Sequence, residues 1–245
     1  KIIIPSHRLF EPDIFKHDDK INEVVDLISK AKKPIFYIGG GCINSGPKAS
    51  ELVSQFVEIT GAPATMTLMG LGVIGSSHPN SLGMLGMHGM YEANMAMHEC
   101  DVMVNIGARF DDRVTGRLDA FSPNSKKIHI DIDESNINKT IKVDVPVVGD
   151  VTTVLTKIIQ TWKDKKLKTN ASDLKLWWDK INNWKKIDCL NFSNDEKEIK
   201  PQYAIQRLYD LTKDKKTFIT TEVGQHQMWA AQFYKFEKPN RWLTS

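Results

Sequence analysis

Ile35-Phe36-Tyr37-Ile38-Gly39-Gly40-Gly41 is a short apolar run that stops on three glycines. Four consecutive apolar residues between Lys32-Lys33-Pro34 and glycine read as a buried strand entering a tight turn. On its N-terminal side, from His17 to Ala31, Ile21, Val24, Val25 and Ile28 fall at i, i+3, i+4 and i+7. That spacing predicts one apolar face of a helix. On the other side Pro47–Thr60 is helical, with Leu52, Val53, Phe56 and Val57 inward. The alternation then continues. Ala64–Leu68 reads as a strand followed by Gly70 and Gly72, Gly89–Glu99 as a helix, and Val102–Ile106 as a strand ending on Gly107. Ile128–Ile132 is a strand before Asp133, Val145–Val148 a strand before Gly149-Asp150, and Val151–Trp162 an amphipathic helix. Strands alternating with helices imply an α/β fold, a parallel sheet with helices on both faces.

Beyond this unit the pattern changes. Lys163–Lys168 is a basic run of the kind that forms a solvated interdomain face. Asp173–Ile187 is a helix rich in tryptophan (Trp177, Trp178, Trp184), suited to packing along a domain surface. Asn191–Glu198 is polar and turn-like. Pro201–Leu211 then reads as a helix, Thr217–Thr221 as a strand and Gly224–Gln232 as the start of another helix, so a second α/β unit begins near residue 199. Residues 1–16 contain two prolines and no periodicity, and read as a linker. The expected division is 1–16 linker, 17–165 central α/β domain, 166–198 helical linker, and 199–245 the start of a further domain. The absence of an initiator Met and the extended Trp242–Ser245 end are read as signs of a piece of a longer protein.

Composition narrows the function classes. The 245 residues amount to about 1.6 domains. A 41% hydrophobic and 26% charged chain is neither disordered, nor collagen-like, nor a coiled coil. Its longest apolar stretches fall far short of the ~20 residues a spanning helix needs, so no membrane helix and no secretory signal are expected. A net charge of +3 is too small to argue for nucleic acid, and Lys163–Lys168 has no interleaved aromatics. Cys42, Cys100 and Cys189 form neither a metal-type pair nor a disulfide frame, which points to a reducing compartment.

Ligands of parallel α/β sheets sit beyond the carboxyl ends of the strands. Those ends carry Gly39-Gly40-Gly41, Met69-Gly70-Leu71-Gly72, Gly107-Ala108-Arg109-Phe110-Asp111-Asp112-Arg113, and Asp131 to Asp133. One edge thus offers glycines for close backbone approach, two arginines for phosphate or carboxylate, and acids for ribose hydroxyls. Taken singly, each has a plainer reading. Gly39-Gly40-Gly41 is not G-x-G-x-x-G and could serve the turn alone. Asp131 could cap or pair with a lysine. Met84, Met87, Met90, Met95 and Met97 could be core filler or a soft wall against a flat ring. His88, between glycines at a predicted helix start, could face an anion or serve as an ordinary cap. Arg109 and Arg113 flanking Asp111-Asp112 stand out because arginine is scarce here, occurring only at 8, 109, 113, 117, 207 and 241. Val223-Gly224-Gln225-His226 joins a strand to a glycine-opened helix, whose N–H groups can take phosphate.

Met84-Leu85-Gly86-Met87-His88-Gly89, Gly107-Ala108-Arg109-Phe110-Asp111-Asp112-Arg113-Val114-Thr115-Gly116 and Val223-Gly224-Gln225-His226-Gln227-Met228-Trp229-Ala230-Ala231-Gln232 together resemble the catalytic subunits of the acetolactate (acetohydroxyacid) synthase family, in order and in spacing. Lys32-Lys33-Pro34, Thr67–Gly72 and Ile199-Lys200-Pro201-Gln202 fit the same pattern. The likeness covers most of the chain and thins at 1–16 and 163–198. It implies a thiamine-diphosphate-dependent transferase that decarboxylates pyruvate and condenses it with a second 2-ketoacid, pyruvate or 2-ketobutyrate, in branched-chain amino acid biosynthesis. It implies FAD, largely structural, on Gly40, Gly41, Thr67, Leu68, Met69, Met87, His88, Gly89, Gly107, Arg109, Asp131, Ile132, Asp150 and Val151 of a Rossmann-like central domain. Arg113 would meet the carboxylate of the second ketoacid, with Asp112 orienting it. Val223, Gly224, Gln225 and His226 would hold the diphosphate of thiamine diphosphate.

The resemblance also implies what this sequence lacks. The family's catalytic Glu belongs to a first domain, and the Mg2+ ligands lie beyond Ser245, so the chain by itself is expected to be inactive. It further implies a homodimer or tetramer, a regulatory small subunit, and residence in the bacterial cytoplasm or in a plastid or mitochondrion. Two other readings compete. One is a sister FAD-containing carboligase such as glyoxylate carboligase, against which the Arg109–Arg113 run argues. The other is a non-catalytic nucleotide-binding module, which would not need Val223–Trp229.

Overall fold

The computed structural model describes residues 19–194 and 197–244. The linker expected over 1–16 and the predicted helix start at His17 lie outside them. In chain order the elements are α1 (Lys20–Lys30), β1 (Pro34–Ile38), α2 (Gly41–Asn44), α3 (Pro47–Thr60), β2 (Ala64–Met66), β3 (Ser81–Met84), α4 (Tyr91–Glu99), β4 (Val102–Ile106), α5 (Asp112–Thr115), β5 (Lys126–Asp131), β6 (Val145–Val148), α6 (Val151–Asp164) and α7 (Ala171–Lys185). After these come α8 (Pro201–Thr212), β7 (Ile219–Thr220), α9 (Gln225–Phe233) and β8 (Trp242–Leu243).

β1 to β6 form one sheet in the order β3-β2-β1-β4-β5-β6, with every pair parallel. This is the doubly wound order, and the chain reverses direction across the sheet between β1 and β4. The alternation of side chains along a strand sorts the core into two layers. Phe36 and Ile38 of β1, Val102, Val104 and Ile106 of β4, and Ile128 and Ile130 of β5 pack with the apolar stripes of α1, α3 and α6. Ile35 and Tyr37 of β1 and Met103 of β4 face the other way, towards α4 and α7. Strands buried on both faces need near-continuous apolar runs, which is why β1, and β4 but for Asn105, are legible as such.

The tryptophan-rich helix α7 closes the second layer. Trp177 is buried, its indole Nε1 donates to the Pro34 carbonyl at 3.0 Å, and its ring meets Trp184 edge-on at 5.7 Å. β7 and β8 make a separate two-stranded parallel ladder, and α8 and α9 pack against one another. This second unit is sewn to the first through Ser76, whose N–H donates to the Phe236 carbonyl at 3.0 Å and whose hydroxyl accepts from the Phe236 N–H at 2.9 Å.

Five expectations shift. The strand foreseen over 64–68 ends at Met66, because Thr67 turns the chain into a 3-10 turn over Leu68–Gly70 and its hydroxyl accepts from Gly70 N–H at 3.1 Å. β3 was not foreseen. It is an edge strand with no β-branched residue, and it holds Gly83 at φ +72° beside a register shift against β2. α4 starts at Tyr91, not Gly89, since Met90 N–H bonds back to the Met84 carbonyl at 2.7 Å. β5 spans 126–131, leaving Ile132 outside the strand, and β7 is confined to Ile219–Thr220.

Candidate functional site

Because all six strands point the same way, the turns after them leave on one edge. Where the winding reverses, the turns after β1 and β4 touch. Gly41 N–H donates to the Gly107 carbonyl at 2.9 Å, and a Cβ on Gly41 would lie 2.7 Å from Gly107 Cα. Gly107 itself sits at φ +64°, a left-handed conformation that glycine adopts without strain. Next along the edge, a Cβ on Gly40 would lie 3.1 Å from Met69 Cβ. Gly40, Gly41, Gly107, Thr67, Leu68 and Met69 are therefore one surface.

The turn after β3 joins this surface to α5. Gly86 is clasped by Asn94, which accepts from its N–H at 2.8 Å and donates to its carbonyl at 2.9 Å. Met87 N–H then donates to the Arg113 carbonyl at 2.8 Å. Met87 and His88 point to solvent, and His88 stands in the turn rather than at the helix start the sequence suggested. The methionine cluster divides between its two readings. Met66, Met84 and Met97 are core, Met90 and Met95 are half-buried, and Met69 and Met87 are exposed at the edge.

Asp111 organises the arginine run. Its carboxylate caps α5 by accepting from Arg113 N–H at 3.1 Å, and it pairs with the Arg109 guanidinium at 2.9 Å. The Arg113 amide holds its carboxyl below the usual carboxylate value of 3.8, and Arg109 adds to the effect. A depressed acid contributes stability above its unfolded pKa and loses it as pH falls through the folded one. The amide resonance of Arg113 should accordingly titrate below 3.8 in an NMR pH series; a turnover at or above that value contradicts the cap. Asp112 and Arg113 are exposed, and the Arg113 guanidinium has no partner among the described residues. Both line a 350 Å³ cleft with Met87, His98, Arg117 and Phe121.

On the far side of β4 the acids are engaged within the protein. Asp131 is buried, with one carboxylate oxygen accepting from Asp133 N–H at 2.8 Å and the other 3.5 Å from His129 Nε2. Ile132 is exposed beside it. Asp150 caps α6 through the N–H groups of Thr152 and Thr153, and accepts from the Ser45 hydroxyl at 2.6 Å, tying α6 to α2. Val151 is core. Val223, Gly224, Gln225 and His226 belong to the second unit and open α9, with Val223, Gln225 and His226 exposed. α9 reaches the edge through its opposite end, where Gln232 Nε2 donates to the His88 carbonyl at 2.8 Å.

Asn94, Asn105 and His129 went unnoticed in the sequence. Asn105 and His129 are wholly buried, and both bond the Ala108 carbonyl, at 2.7 and 2.9 Å. For Asn105 the signal was present, a polar side chain amid an otherwise apolar strand, which must find a partner when buried; His129 stands in a strand that also carries Lys126, Lys127 and Asp131 and gave no such signal.

Fold order, glycine contact and the arginine-bearing edge define a doubly wound α/β domain whose strand-end edge carries close glycine turns and exposed arginines. Residues 21–158 match the family model described as thiamine pyrophosphate enzyme, central domain, and the chain belongs to that family. Over 238 residues it is 46% identical to the acetolactate synthase large subunit of Buchnera aphidicola subsp. Schizaphis graminum, covering 97% of this chain and 41% of that protein. It is 40% identical over 240 residues to the acetolactate synthase isozyme 3 large subunit of Escherichia coli, covering 98% and 41%. To the chloroplastic acetolactate synthase of Arabidopsis thaliana it is 46% identical over 232 residues, covering 93% and 33%. The chain thus spans under half the length of these relatives.

Proposed function

We propose that this chain is the central portion and the start of the last domain of an acetolactate synthase catalytic subunit. The complete protein would decarboxylate pyruvate and join the product to a second 2-ketoacid. The observation that carries this reading is the Gly107–Gly116 segment: Asp111 caps it, Met87 N–H holds it, and the Arg113 guanidinium is left unpaired at the mouth of a cleft. An unpaired guanidinium on an anchored stretch of backbone is well suited to a carboxylate. The 40–46% identity to acetolactate synthases across both units supports it.

The edge residues fit FAD. Gly40, Gly41 and Gly107 leave a surface without side chains, and Met69, Met87 and Ile132, three large apolar residues, stay exposed along it. Gly89, Thr67, Leu68, His88 and Arg109 border the same surface. Asp131, Asp150 and Val151 would act from within the strand-end turns, since their side chains are engaged or buried. The opening turn of α9 fits the diphosphate of thiamine diphosphate, with free N–H groups at its start and Gln225 and His226 exposed beside them. Bound thiamine diphosphate supplies the carbon nucleophile for decarboxylation and ligation. Here Arg113 binds and orients the acceptor ketoacid, and Asp112 steadies it. Mg2+ would be held by residues outside this sequence, and a regulatory subunit and a second catalytic copy would complete the assembly. The domain division at about 165 and 199 and the bacterial or plastid setting belong to the same proposal.

The test uses the full-length protein. Acetolactate formation from pyruvate with thiamine diphosphate and Mg2+ should require FAD. No acetolactate, with flavin bound stoichiometrically, moves the function to a sister carboligase. Arg113→Ala should then lower kcat/KM for the acceptor by ~100-fold, the equivalent of losing one charge-assisted contact of ~2–3 kcal/mol.

A further inference from the structure

Three neighbouring strands carry a row of polar residues in register: Tyr37 of β1 lies opposite Asn105 of β4, and Asn105 opposite His129 of β5. All three are wholly buried on the α4–α7 side, where buried Thr65 of β2, opposite Tyr37, and Asp131 of β5 share the face with apolar neighbours. Two of them converge on one atom. Asn105 Nδ2 donates to the Ala108 carbonyl, Asn105 Oδ1 accepts from Ala108 N–H at 3.0 Å, and His129 Nε2 approaches the same carbonyl. A carbonyl only accepts, so Nε2 carries the proton, and Nδ1 is left buried without a partner. Phe110 seals the row, its ring 5.0 Å from His129 and 5.7 Å from Tyr37. To do so it adopts φ +55°, a left-handed conformation disfavoured for a bulky residue.

A buried polar pair is costly unless satisfied, and here it fixes the N–H and the carbonyl of one residue, Ala108, on both of its flanking peptides. The chain leaving Ala108 is pinned at each later step: Phe110 in its aromatic socket, Asp111 on Arg113 N–H, and the Arg113 carbonyl on Met87 N–H. We infer that Asn105 and His129 are positioning residues for Arg113, setting where its guanidinium stands in the 350 Å³ cleft. The inference rests on the proposed role of Arg113 toward the acceptor carboxylate.

The test is a mutant cycle in the full-length holoenzyme with His129→Phe, which keeps a ring and removes the donor. His129→Gln, which returns a donor at nearly the same reach, is the rescue. His129→Phe should raise KM for the acceptor ketoacid ~10-fold with kcat changed less than ~3-fold, and His129→Gln should restore most of it. On an Arg113→Ala background His129→Phe should add less than ~2-fold, because residues acting through one group are not additive. Full additivity overturns the inference. Hydrogen exchange of the cofactor-free protein gives a readout without activity: the amides of 107–116 should exchange faster in His129→Phe and unchanged in Arg113→Ala. Unaltered exchange in His129→Phe also overturns it. If His129→Phe does not fold, Asn105→Leu carries the same cycle. A wild-type protein that makes no acetolactate sinks the functional reading instead, and the exchange arm still decides whether the clasp orders the segment.

Discussion

Gly39→Ala should cost the protein more than ~3 kcal/mol, above the usual range for overpacking, and urea titration of the full-length protein should show its first transition moving sharply down or disappearing. The added methyl carbon would sit 2.6 Å from both Cα and Cβ of Ala108, and closer still to the Gly107 carbonyl oxygen. These are largely main-chain atoms and cannot rotate away. Gly39 N–H is held by the Ile106 carbonyl at 2.9 Å, and Gly107 N–H by the Ile130 carbonyl at 2.8 Å, so relief would require β1, β4 and β5 to separate at their ends. Gly46→Ala is the control for glycine loss without a clash of this kind, since nothing stands within 4 Å of a Cβ there. Its cost comes only from its φ of +98°. A Gly39→Ala midpoint equal to that of Gly46→Ala would refute the argument.

Trp177→Ala should cost ~3–5 kcal/mol, the range for truncating a large buried aromatic. Trp177 is 2% exposed and fills the space between α7 and the start of β1. Removing it strands Trp184, which meets it edge-on, and leaves the Pro34 carbonyl without its donor. Trp177→Phe separates these losses: the ring contact is kept, the indole N–H is lost, and the expected cost falls to ~1–2 kcal/mol. If the two variants are equally destabilised, the hydrogen bond dominates and the packing argument fails. α7 lies outside the matched family region of 21–158, and Trp177 reaches the Asn105–His129 row only through Tyr37 and Phe110, with which it shares a cluster. Loss of Trp177 should therefore lower stability without changing KM for the acceptor.

How far the fold was legible follows from burial. β1 and β4 are covered on both faces, so their runs are apolar but for Asn105, and they end on glycine; β6, at the edge with Pro146 half-buried, is still marked by its valines and Gly149. β3 has a half-exposed edge, and Ser81 and Gly83 leave it no pattern to read. The strand-end glycines and the arginine run announced the edge, because few other uses require such residues together. What could not be read was how the edge is held. The bonds from Asn94 to Gly86 and from Met87 to Arg113 join segments whose nearness depends on β3, and β3 was not foreseen. His88 lost its place at a helix start for the same reason. Asp131 and Asp150 show the opposite limit: acids at strand ends were expected to face a ligand, but both are occupied by N–H or O–H groups of the protein itself. Spacing alone does not tell whether a carboxylate's neighbours have already claimed it.

The contact between Gly41 and Gly107 has a consequence for shape. In most doubly wound sheets the diverging turns leave a notch into which a ligand can be wedged. Here main chain meets main chain and the notch has a floor. Under the FAD reading proposed above, the ligand would stay up on the rim, long rather than deep, running from the β3 turn across to β5 and touching many short segments lightly. Selectivity of that kind would be for length and outline, distributed over the whole crest, and no single side-chain change should abolish it.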